Sequence, residues 1–81
     1  MVQKREITLT EMKNGQTGIV VTIEGGTGMK VKLEGLGIRN GVKIYKKSSL
    51  MGHGPVVVSV GTGEIAIGYG MANKVFVEAE E

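Results

Sequence analysis

Glycine punctuates this chain at nearly every boundary between short apolar runs, and that spacing limits what it can fold into. Asn14-Gly15, Gly25-Gly26, Asn40-Gly41 and Gly61-Thr62-Gly63 separate segments rich in Val and Ile. Glycine reaches left-handed backbone without a Cβ penalty, so such breaks suit tight hairpins and sharply bent strands. Fourteen of the 81 residues are glycine, against an ordinary share of about 7%. No three-residue period runs through them and Pro55 is the one proline, which excludes a collagen helix. Hydrophobic residues at 41% exclude a disordered chain.

A chain this short holds one core, so residues 1–81 are read as a single domain with 1–6 and 79–81 as flexible ends. Ile7 and Leu9 alternate briefly before Thr10-Glu11-Met12, where Thr10 starts a helical turn. Gly18 to Glu24 reads as a strand with Ile19, Val21 and Ile23 on one face and Val20, Thr22 and Glu24 on the other. Thr27 to Leu36 fits both periods: Met29, Val31 and Leu33 alternate, while Met29, Leu33 and Leu36 share a helical face. Thr27 as N-cap and Gly35 or Gly37 as C-cap favour a short helix.

Val42 to Lys47 alternates as a half-exposed strand, with Val42, Ile44 and Lys46 on one side. Ser48 to Gly54 is a loop containing Leu50, Met51 and His53. Pro55 then opens the strand Val56 to Val60, Gly61-Thr62-Gly63 turns the chain into Glu64 to Ile67, and Met71-Ala72-Asn73 forms one helical turn. Lys74 to Glu78 is the last strand. The expected fold is all-β: a small SH3-like antiparallel barrel of about five strands with one short helix.

Little in the sequence supports catalysis. With no cysteine there are no disulfides and no thiolate ligands or nucleophiles, as is usual for an intracellular protein. Gly61-Thr62-Gly63-Glu64-Ile65-Ala66 matches G-x-G-x-x-A, but a dinucleotide site requires the loop to open a helix, whereas Glu64 to Ile67 alternates as a strand. Asp is absent, and Ser48, Ser49 and Ser59 have no evident base. His53 is the only histidine, too few ligands for a closed metal site. No enzyme, cofactor or metal site is assigned. No run approaches the roughly 20 apolar residues of a membrane span. Net charge is +2, and Lys43, Lys46 and Lys47 form the nearest basic cluster, which is thin for nucleic acid.

The order of motifs from about Leu9 to Glu78 resembles the FeoA family, ferrous iron transport protein A. Leu9 to Gly18 is similar to the family's opening leucine, turn and glycine. Met29-Lys30-Val31-Lys32-Leu33-Glu34-Gly35-Leu36-Gly37-Ile38 looks like its basic helix ending in a hydrophobic-glycine pair. Leu50-Met51-Gly52-His53-Gly54-Pro55-Val56-Val57-Val58 looks like its loop and following strand, and the closing strands are similar too. Asn40 and Leu50 stand where prolines are common, and Gly68-Tyr69-Gly70 where the family often has an arginine pair.

The resemblance implies a helix at Met29 to Leu36 and a non-enzymatic, cytoplasmic accessory protein of ferrous iron uptake. Its partner would be the membrane GTPase transporter FeoB, which would recruit it to the inner face of the membrane. Transition-metal binding is described for some relatives. Docking is expected through Leu33, Leu36, Gly37, Leu50, Met51 and His53, with core packing as the competing reading for Leu33 and Leu36. Exposed sheet edges also make a homo-oligomer an expectation. The alternative function is an SH3-like nucleic-acid-binding module, disfavoured by only three aromatic residues for stacking.

Overall fold

A computed structural model describes residues 4–49 and 53–80. Its elements are β1 (Lys4–Thr8), β2 (Thr17–Ile23), α1 (Thr27–Gly35), β3 (Lys43–Ser49), β4 (Val56–Val60), β5 (Gly63–Ile67), α2 (Tyr69–Ala72) and β6 (Val75–Glu80). The strands form one sheet in the order β1-β6-β2-β3-β4-β5, antiparallel throughout. Ile67 of β5 is part of the buried core and the half-buried Ile7 of β1 packs against that same core, although their strands lie at opposite ends of that order. A sheet whose two edge strands share one core must curl.

Two ends of the chain differ from the sequence reading. Residues 4–6, expected as a frayed terminus, are strand, and Ala79, expected in a solvated tail, is fully buried. The cause is long-range pairing of β1 with β6, from Lys4↔Glu80 to Thr8↔Phe76, which raises the strand number from the expected five to six. Strand β3 also continues through Ser48 and Ser49, expected as loop, because they pair with Val57 and Val56.

In β2 the inward residues are Gly18, Val20 and Ile23, whereas Ile19 is 39% exposed. A register shift between Val20 and Thr22 inserts Val21 as a bulge and changes which face the strand presents. The expected face of Ile19, Val21 and Ile23 is therefore broken in phase. Gly18 lies against Val77, where a Cβ would meet Val77 Cγ2 at 3.0 Å.

Helix α1 settles the ambiguous segment. Its N-cap is Gly26, one residue before the expected Thr27, and no side chain caps it. At its C-terminus Gly37 N–H donates to Glu34 O at 3.0 Å and Ile38 N–H to Leu33 O at 2.9 Å, a Schellman motif with Gly37 at φ +92°. Leu33 and Ile38, the hydrophobic pair of that motif, are both fully buried.

The turn between β1 and β2 starts at Thr8 rather than Thr10. Thr8 Oγ1 accepts from Glu11 N–H at 3.3 Å, and a Glu11 carboxylate oxygen accepts from Thr8 N–H at 2.9 Å. These reciprocal bonds are a capping box around one helical turn, closed by Met12 N–H donating to Thr8 O. They hold the Glu11 carboxyl below its ordinary pKa. The turn is anchored to β3 from below: Lys46 is 2% exposed, and its ammonium donates to the carbonyls of Leu9, Thr10 and Met12 at 2.9, 3.2 and 2.5 Å. Burial draws the Lys46 pKa downward, while three carbonyl acceptors match the three N–H donors of the protonated amine.

Candidate functional site

The motif that imitates a phosphate loop is a hairpin. Val60 pairs with Gly63 across the two-residue loop Gly61-Thr62, and Gly61 takes φ +61° while Thr62 does not enter positive φ. That combination is a type II′ turn. Glu64 to Ile67 leaves it as strand, so no helix N-terminus faces the loop.

The residues expected at a docking surface separate in space. Leu33 is in the core and offers no surface. Leu36 caps α1 and is 42% exposed, with Gly37 following it. A Cβ on Gly37 would lie 3.6 Å from Val60 Cγ1, which places this pair beside the tip of the β4–β5 hairpin. His53 lies at the open end of the same hairpin, exposed, with its ring stacked on Tyr69 at 4.3 Å between centroids and 23° between planes. The pair Val56↔Ile67 lies between these two rings in sequence. Leu50 and Met51 lie outside the described residues. Leu36 and Gly37 thus flank one end of the hairpin and His53 the other.

The lysines do not form a basic cluster. Lys43 is exposed, Lys46 is buried on the opposite face, and Lys47 donates to Glu64 at 2.6 Å, an ion pair that raises the Lys47 pKa. A register shift between Lys46 and Ser48 makes Lys47 the extra residue of a bulge. Alternation places Lys46 in phase with Val42 and Ile44, and that phase is the sequence signal for its burial.

Sequence reasoning missed an exposed apolar pair on the outer face. Ile19 and Tyr45, 39% and 43% exposed, are diagonal neighbours, since Ile19 pairs with Lys43 and Thr17 with Tyr45. Beside Ile19 a shallow depression of about 570 Å³ is lined by Gly15, Gln16, Thr17, Gly18, Lys43 and Glu78. The β2 bulge hides this pair from a simple alternation count. Among the described residues no three His, Cys, Asp or Glu side chains come together as a metal cluster.

Known proteins match this architecture over nearly the whole chain. The profile of the FeoA domain matches residues 7–79. A protein of Methanocaldococcus jannaschii, named as a candidate Fe(2+) transport protein A, is 39% identical over 69 residues, which cover 85% of this chain and 82% of that protein. The crystal structure of an iron uptake regulatory protein, FeoA, superposes with a TM-score of 0.84 at 40% identity, covering 93% of this chain and 97% of that one. The zinc complex of Stenotrophomonas maltophilia FeoA, described as a procaryotic SH3 domain protein, superposes at 0.73 with 23% identity and covers 88% of each chain. The curled sheet is thus the SH3-like fold read from the glycine spacing, with one strand more than expected. By its sequence over residues 7–79 and by its fold, the chain belongs to the FeoA family.

Proposed function

We propose that this chain is a non-enzymatic accessory protein of ferrous iron uptake that docks on the cytoplasmic part of a FeoB-type membrane GTPase transporter. The observation that carries the reading is the 39% identity to the Fe(2+) transport protein A relative, spread over 85% of the chain. Among the described residues no helix is long and apolar enough to cross a membrane, so contact with a membrane transporter would be made through such a partner surface. Leu36, Gly37 and His53 are the residues offered for docking, together with Leu50 and Met51, which lie outside the described residues. Leu36 can be changed without opening the core, because it is exposed at the helix end. Calorimetric titration of the full chain against the transporter's cytoplasmic GTPase domain, in the apo, GDP and GTP-analogue states, tests the proposal. Saturable binding weakened by Leu36→Glu is expected, and no binding in any state overturns it.

A further inference from the structure

The two edges of the sheet are built differently. β1 has Lys4, Arg5 and Glu6 along its length, and its Thr8 N–H is covered by the Glu11 carboxylate. Charged residues and a covered amide keep an edge from pairing. β5, with sequence Gly-Glu-Ile-Ala-Ile, has no proline, no lysine and no bulge. The two-residue turn makes Val60↔Gly63 a hydrogen-bonded pair, and alternation then assigns Val58↔Ile65 and Val56↔Ile67 the same role. The N–H and C=O groups of Glu64 and Ala66 therefore point away from β4. Both residues are exposed, and among the described residues no backbone hydrogen bond reaches either from outside the sheet ladder. The single charge on this edge is balanced by Lys47 at 2.6 Å.

We propose that this edge pairs with β5 of a second copy of the chain, antiparallel across a two-fold axis at Ile65. In that register Glu64 faces Ala66 of the second copy and Ala66 faces its Glu64, so all four outward N–H groups, two from each chain, find carbonyl partners. Ile65, half-buried in the single chain, meets its mate at the close non-hydrogen-bonded position. Setting Glu64 opposite Glu64 would instead oppose like charges. The segment is thus complementary to itself, which commits the edge to a second copy. A five-residue seam falls below the standard interface of about 1,600 Å², so the dimer is weak and concentration-dependent.

Sedimentation equilibrium of the full chain, from micromolar to millimolar, reads the association. Ala66→Pro deletes an N–H that β4 does not use and should weaken the dimer on the order of thirtyfold, as expected for one hydrogen bond lost from each copy. Ala66→Glu, facing Glu64 of the second copy, should also weaken it at low salt, whereas Ala66→Lys should strengthen it. A chain that stays monomeric at millimolar concentration overturns the proposal. So does a dimer indifferent to folded Ala66→Pro, or one that responds alike to the Glu and Lys variants. Because only this chain is present, failure here leaves the transporter reading intact.

Discussion

The ammonium of Lys46 lies 2.5 Å from the Met12 carbonyl oxygen and holds the first turn onto β3. Lys46→Met keeps most of the apolar stem but leaves the carbonyls of Leu9, Thr10 and Met12 without their donor. A loss of about 2–4 kcal/mol is expected, since each unsatisfied buried acceptor costs roughly 1–3 kcal/mol and water can reach part of the turn. Urea unfolding at unchanged m-value measures it, and a loss below about 1 kcal/mol would contradict the anchoring role.

Glu11 gives the same turn a dependence on pH. Its carboxyl pKa is lowered chiefly by the Thr8 N–H bond, then by the Thr8 hydroxyl, so the folded state binds its proton less readily than the unfolded chain. The stabilisation is whole above the ordinary glutamate value of 4.5 and is lost as pH falls through the lower folded value. Glu11→Gln should therefore cost a few tenths of a kcal/mol at pH 7, because Glu11 is exposed and solvent screens its charge, and the gap to the parent should close in acid. Paired thermal melts across that range would show a constant gap if the carboxylate were idle.

Gly18 is the tightest glycine in the sheet. Alanine there would put a Cβ 3.0 Å from Val77 Cγ2, 3.1 Å from Val77 Cβ and 3.3 Å from the Glu78 carbonyl. Overpacking of that kind costs about 1–3 kcal/mol. The companion change Val77→Ala should recover part of the Gly18→Ala loss, and a double-mutant cycle with no coupling would refute the contact.

At Gly37 the difficulty is backbone rather than space. The added Cβ meets Val60 Cγ1 at 3.6 Å, an ordinary contact, but φ +92° is unfavourable for any L side chain. Gly37→Ala should destabilise by about 1 kcal/mol. Amide exchange should quicken first at Gly37 and Ile38, whose N–H groups close the helix.

Local chemistry made some of this fold legible. Pro55 followed by a Val-rich run defines β4 to the residue, and the positive φ of Gly15 and Gly41 is where Asn-Gly pairs placed it. What escaped was set by contacts distant in sequence or by single inserted residues. Lys4 to Glu6 look like a solvated end until Glu80 and its neighbours are beside them. Val21 and Lys47 each shift a strand by one residue, which local alternation does not reveal. The proposed docking set fared similarly: Leu33 and Leu36 are three residues apart, and only packing shows that the first is core and the second is exposed.

The position of β6 between β1 and β2 governs the order of assembly. The strands from β2 to β5 are joined neighbour to neighbour and can pair as they emerge from the ribosome, but β1 has no sheet partner until Val75–Glu80 has been made. The first strand must wait for the last, so cutting the chain before Val75 would strand β1 and uncover one side of β2.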